Sequence, residues 1–394
     1  MPFAFRRQPF SAVYTLCGVV YLLAALPVWL ILEALPSARP RRSWSIKRAL
    51  FARAARFFIG VMWRTCLPAP IPLSKYEQNA KTLGFVSVDA THELIVGEIG
   101  EIAKQTRVKA ERTGGFWYGP RDPNGDVGQR PSPDERVVYY FHGGGHVMGS
   151  ARPGGGSMPI FKGFLEHLGP NLRIFALEYR ISSAAPFEPA NPFPASLVDA
   201  VAGYRYLIED VGFRPRQIIL SGDSAGGGIA FNLARYIATA KLPSLPQPGG
   251  LILLSPTMDW AQTHTGPGSS MERNYRSDIV HAILESGYTP RALIGSLPEE
   301  TASKSPWISP GSLQAEWRPG MFSGFPRTVI VAGGAEYTLD GMHTAGDRLI
   351  EDNGKENVTF IEPPDALHDF LAMEFHEPER TDVLKELAAW MKTL

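Results

Sequence analysis

Beyond residue 65, short apolar runs recur at 137–141, 174–177, 218–220, 251–254, 328–331 and 358–361. They are continuous rather than alternating, the pattern of strands covered on both faces. Segments with helical spacing lie between them, such as 195–209 and 226–240. This succession predicts an α/β fold with a mostly parallel central sheet flanked by helices. Pro/Gly-rich breaks fall at 119–133, 242–250 and 266–268, and no internal repeat is present. Residues 256–325 separate two core strands without a strand of their own. An insertion of that length over the strand ends suits a helical cap, and residues 65–110 are expected to contribute to it.

The N-terminal pattern differs. Residues 12–32 carry no formal charge over 21 positions, and about 20 such residues span a bilayer core as a helix. Tyr14 and Trp29 suit the interface, and Pro27 predicts a kink. In residues 46–63, Ile46, Leu50, Ala54, Phe57, Phe58, Val61 and Met62 recur at helical spacing, with Lys47, Arg48, Arg53 and Arg56 between them. A basic amphipathic helix of this kind lies on anionic lipid; packing against its own protein is the alternative. The apolar run exceeds the roughly 7–15 residues of a cleaved signal, and no small-x-small site follows it. The expected division is 1–35 for a membrane-anchoring helix, 36–64 for the basic segment and 65–394 for the α/β domain. The bases after the run, Arg39, Arg41, Arg42, Lys47 and Arg48, outnumber Arg6 and Arg7, which places the domain on the cytosolic side.

Charge sharpens that division. The net charge of 0 combines ten Lys/Arg and one acid, Glu33, in residues 1–64 with 29 bases and 38 acids in the rest. The basic part is also strongly apolar, so a lipid surface is the expected partner and nucleic acid is not. With 44% hydrophobic and 20% charged residues, the chain can bury a large core, which excludes disordered and fibrous classes. Cys17 and Cys66 are the only cysteines. They form no disulfide framework and lack metal-ligand spacing.

Two motifs carry chemistry. Gly222-Asp223-Ser224-Ala225-Gly226 follows the run 218–220 and opens a helical segment, the context of a nucleophile elbow. Its glycines suit a strand that turns abruptly into a helix around Ser224. His142-Gly143-Gly144-Gly145 directly follows the run 137–141. Free amides in such a turn, from Gly143, Gly144 and Gly145, together with that of Ala225, supply an oxyanion hole. His142 is expected to tie down this loop rather than to transfer protons.

With these motifs the chain resembles the hormone-sensitive-lipase-like family of α/β-hydrolases, over roughly residues 110–394. Phe193-Pro194-Ala195 with Asp199, and Ser309-Pro310, add to the likeness. The resemblance implies an α/β-hydrolase fold and a carboxylic ester hydrolase (esterase, lipase or deacetylase) without a cofactor or metal. Its base follows the last strand, where Leu367-His368-Asp369-Phe370 matches, with His376 and His343 as competitors. The family's acid is the first Asp of Asp-Pro-Leu-x-Asp. This chain reads Ala335-Glu336-Tyr337-Thr338-Leu339-Asp340, which puts Glu336 in that place; Asp340 is the alternative acid or a helix N-cap. The anchored N-terminus resembles the microsomal deacetylase and fungal steryl-acetate hydrolase branches, implying an endoplasmic reticulum or lipid-droplet membrane.

The expected substrate is a small lipophilic ester with a short- to medium-chain acyl group. Trp117, Met148, Trp260, Tyr275 and Trp307 are candidate pocket residues. Asn357-Val358-Thr359 forms a glycosylation sequon, of use only in a lumenal domain. A non-catalytic ligand-binding protein on the same fold is the competing class.

Overall fold

Along the strand Arg136–Phe141, Val137, Tyr139 and Phe141 enter one apolar layer, while Val138 and Tyr140 enter the other. Side chains alternate between faces, and because both faces are covered the run is apolar throughout. The computed structural model describes residues 2–394. The strands are β1 (Phe85–Val88), β2 (Thr113–Tyr118), β3 (Arg136–Phe141), β4 (Leu172–Leu177), β5 (Ile218–Asp223), β6 (Gly250–Leu254), β7 (Thr328–Val331) and β8 (Val358–Ile361). They form one eight-stranded sheet in the order β1-β2-β4-β3-β5-β6-β7-β8. β3 to β8 run parallel, and β2 is antiparallel to both its neighbours.

The helices are α1 (Phe10–Ala34), α2 (Ile46–Arg64), α3 (Gly97–Thr106), α4 (Met158–His167), α5 (Ala195–Arg205), α6 (Ala225–Ala240), α7 (Leu339–Asn353) and α8 (Glu379–Met391), besides shorter turns. α3, α5, α6 and α7 cover one face through Ile99, Leu197, Val201, Ile229, Leu233 and Leu349. α4 and α8 cover the other through Phe161, Phe164, Leu384 and Leu387. The carboxyl ends of β3, β5, β6, β7 and β8 share one edge, where the connecting loops gather.

Two strands escape the hydrophobic pattern. β2 contains Gly114 and Gly115, where a Cβ would collide with the rings of Phe85 and Phe175. Aromatic packing from both neighbouring strands therefore requires glycines in mid-strand. β1, inside the segment expected to form part of the cap, is instead the edge strand of the sheet. Residues 256–325 carry only short helices: Ser270–Arg273, His281–Glu285, Tyr288–Ile294 and Thr301–Lys304.

At the N-terminus α1 and α2 pair along their length. Gly18 lets Val61 and Phe57 approach α1, Arg64 donates to the Tyr14 hydroxyl at 2.7 Å, and Arg53 pairs with the fully buried Glu33. α2 does not lie free on a surface as its basic pattern suggested. Ala49 and Ala52 are buried against the domain, Arg48 pairs with Glu379 at 2.8 Å, and the Arg56 guanidinium donates to the Tyr275 carbonyl. Its guanidinium groups are satisfied by carboxylates and carbonyls of the same chain, so their spacing matches a protein surface. α1 alone, among the described residues, is long and apolar enough to cross a membrane, with a mean hydropathy of 2.3 over 18 residues.

Candidate active site

β5 ends at Asp223 and α6 begins at Ala225, leaving Ser224 alone at the turn with φ 52° and ψ −116°. A Cβ on Gly222 would strike the Gly226 backbone, and one on Gly226 the Phe141 carbonyl. Only glycines permit this approach, and the strain is held by packing on both sides. The Ser224 amide donates to the Leu254 carbonyl at 2.9 Å.

Ser224, His368 and Glu336 meet at this edge. Ser224 Oγ lies 3.0 Å from His368 Nε2, and His368 Nδ1 lies 2.7 Å from Glu336 Oε2. Glu336 sits in the turn after β7, and His368 in the loop after β8. The second oxygen of Glu336 accepts from Ser255 Oγ at 2.7 Å and from the Gly333 amide. Ser255 Oγ in turn accepts the Asp369 amide at 3.0 Å, so one hydroxyl ties the acid loop to the histidine loop. Asp340 is elsewhere. It lies in the first turn of α7, where its carboxylate accepts the Ser270 amide at 2.7 Å and faces Arg273 at 3.5 Å. Thr338, not Asp340, occupies the N-cap position. His343 bonds Glu362 in a part-exposed pair, and His376 Nε2 accepts the Leu367 amide at 3.3 Å, supporting the loop that carries His368.

The His142–Gly145 turn follows β3. Gly144 and Gly145 adopt φ 116° and 62°, and a Cβ on Gly144 would collide with the Met148 carbonyl. Among the described residues the amides of Gly144, Gly145 and Ala225 meet no acceptor, which leaves them as donors for an oxyanion. Gly143, expected as a further donor, lies against the buried Asp223 carboxylate, which accepts Tyr140 Oη at 2.6 Å and Ser157 Oγ at 3.2 Å. His142 stacks on Tyr179, and its carbonyl accepts the Tyr179 hydroxyl at 2.7 Å. Burial pushes its imidazole down to about 4, so it is neutral and structural.

Burial alone would lower the His368 imidazole, but the carboxylates of Asp369, Glu336 and Asp278 together outweigh it and raise it above the ordinary histidine value. Burial raises the Asp369, Asp278 and Asp223 carboxyls in turn. Ser255, Thr257 and Asp278 have no motif of their own. Thr257 Oγ1 is 3.4 Å from Ser224 Oγ, and Asp278 accepts the Tyr337 amide at 2.9 Å. The one available signal was position, since Ser255 and Thr257 directly follow β6 at the edge that bears the serine.

Of the candidate pocket residues, Trp117 belongs to the core, stacked on Phe213 and donating to Tyr206. Trp260 and Trp307 line a closed cavity with His146, Gly228, Thr257 and Leu293. It has room for one water molecule at most. Thr257, on the wall of this cavity, stands beside the serine. Tyr275 is exposed beneath Arg56, and Met148 packs on the cluster around Val147 and Tyr288.

The alpha/beta hydrolase fold family matches residues 138–372, from β3 to beyond His368. The chain belongs to that family. Within these hydrolases it is similar to an acetyl-hydrolase of Streptomyces hygroscopicus, 27% identical over 266 residues, covering 66% of this chain and 76% of that protein. It is also similar to the esterase LipU of Mycobacterium tuberculosis, 25% identical over 65% of this chain and 77% of that one. A crystal structure of a hormone-sensitive lipase from a metagenome library shares 25% identity over 71% of this chain and 82% of its own, with a TM-score of 0.53. An esterase/lipase from an uncultured bacterium shares the fold at 20% identity and a TM-score of 0.57, over 89% of this chain and 99% of its own. The chain is a hormone-sensitive-lipase-like α/β-hydrolase.

Proposed function

We propose that this hydrolase cleaves carboxylic esters through an acyl-enzyme on Ser224. The observation that carries the reading is the unbroken line from Ser224 Oγ through His368 to Glu336, at 3.0 Å and 2.7 Å. His368 Nε2 takes the hydroxyl proton as Oγ attacks the ester carbonyl, while Glu336 holds the Nδ1–H tautomer and offsets the imidazolium charge. The amides of Gly144, Gly145 and Ala225 bind the oxyanion. Losing one such donor costs about 3 kcal/mol of transition-state stabilisation. His368 then protonates the departing alcohol, and water repeats the sequence on the acyl-enzyme.

Two features support a substrate class. The acetyl-hydrolase among the relatives favours a short acyl group, acetyl first. The apolar N-terminal helix supports attachment to a membrane, at the endoplasmic reticulum or a lipid-droplet surface, where esters of lipophilic alcohols partition. Changing Ser224→Ala is expected to lower kcat on p-nitrophenyl acetate by ~10⁴-fold or more. Wild-type turnover by that variant would refute the assignment.

A further inference from the structure

We propose that α1 does not cross the membrane but lies flat in one leaflet, with α2 as the plank between the bilayer and the catalytic body. The geometry of its two ends carries this inference. Phe3, ahead of α1, is fully buried in an aromatic cluster with Trp63, Phe187 and Tyr288. The Phe3 amide donates to the Trp63 carbonyl at 2.7 Å, and the Phe5 amide to that of Arg64 at 2.8 Å. Trp44, after α1, is also fully buried, and its Nε1 donates to the Asp365 carbonyl at 2.9 Å, three residues from His368. Between them, Arg41 donates to Asn274 Oδ1 at 2.6 Å and to the Gly334 carbonyl at 2.7 Å. The chain on both sides of α1 is therefore fastened to one body. A helix of 25 residues is about 37 Å long, and one that spanned would deliver its two ends to opposite sides of the bilayer.

The pairing with α2 points the same way. α2 accompanies α1 from Tyr14, beside Arg64, to Glu33, beside Arg53. If α1 spanned, Arg56, and Arg53 level with the last turn of α1, would be carried into the bilayer, where charged side chains are strongly disfavoured. Flat in a leaflet, α1 presents Leu16, Val20, Leu23 and Ile31, all exposed, to the acyl chains. α2 fastens the other side of α1 to the catalytic body through Arg48 and Arg56, so that the hairpin turns an apolar side to lipid and a polar side to the protein. The exposed cations Arg7, Arg42 and Lys47 lie at its ends, within reach of anionic headgroups. This attachment holds the Asp365–Asp369 loop, and with it the serine edge of the sheet, close to the lipid surface.

The inference rests on the membrane attachment proposed above and is tested separately from it. The full chain, with one epitope tag at each terminus, is translated into microsomes, treated with protease and washed in alkaline carbonate. Both tags should share one fate, either digested or protected together, and the chain should stay with the membrane. Opposite fates would overturn the flat arrangement alone. Release by the wash, or loss of the N-terminal tag before any protease is added, would overturn it together with the attachment. Leu23→Lys and Ile31→Lys should each release the chain without changing turnover of soluble p-nitrophenyl acetate. Retention of both variants at the wild-type level would also overturn the proposal.

Discussion

Replacing Glu336 with glutamine alters one atom and the charge, and the surrounding donors dictate how the new amide must sit. One oxygen of Glu336 accepts from the Gly333 amide and from Ser255 Oγ, while the other faces His368 Nδ1. The Gly333 N–H can only donate, so the glutamine oxygen must stay on that side. Its NH₂ then points at Nδ1 and forces the proton onto Nε2. In that tautomer Nε2 has no lone pair for the Ser224 proton. Wrong-tautomer variants of such triads lose roughly 10⁴-fold in kcat, or about 5 kcal/mol. Asp340→Asn, by contrast, weakens a carboxylate bonded to Ser270 and facing Arg273, and should leave kcat within about threefold, since exposed pairs contribute little. Initial rates on p-nitrophenyl acetate, with thermal melts to verify folding, compare the two. Glu336→Gln retaining a tenth of wild-type kcat, or Asp340→Asn falling as far as Glu336→Gln, would refute the reasoning.

Three further outcomes follow from the geometry. Hydrolysis needs neutral His368, and its raised pKa holds the proton to higher pH, so the acid limb of kcat/KM should lie above pH 6.5. Asp369→Asn should move that limb downward; an unmoved limb would remove Asp369 from the electrostatic account. Trp44→Phe keeps a buried ring but loses the bond to the Asp365 carbonyl. A loss of about 1 kcal/mol of positioning would lower kcat ~5-fold at constant KM, whereas a change in KM alone would contradict a role in holding the histidine loop. Trp260→Leu opens the cavity beside Thr257 and should raise the butyrate-to-acetate ratio of kcat/KM by roughly 10-fold; an unchanged ratio would mean that the acyl group lies elsewhere.

The residues whose chemistry is local were readable from the chain. The glycines at 222 and 226 declare a serine that backbone must approach closely, and the apolar runs at β3 to β8 declare a sheet covered on both faces. Glu336 was readable through its place after β7, despite standing where relatives of the resembled family carry Asp, because the turn from Gly333 brings the longer side chain to Nδ1. What escaped depends on partners far away in sequence. Gly114 and Gly115 look like loop residues until Phe85 and Phe175 are seen against them. Ser255 is an ordinary Ser-Pro until it is found 81 residues from the carboxylate it bonds. The cations of α2 carried the opposite lesson: their helical spacing suits lipid and protein equally, and only Glu379, Glu33 and the Tyr275 carbonyl decide between them.

The most direct test is covalent trapping by a fluorophosphonate, followed by peptide mass analysis of the wild-type chain and of His368→Ala. An activated serine should carry one adduct, on Ser224, formed far more slowly once the imidazole is gone. A folded, ester-cleaving protein labelled at another residue, or labelled at Ser224 equally fast without His368, would contradict the account.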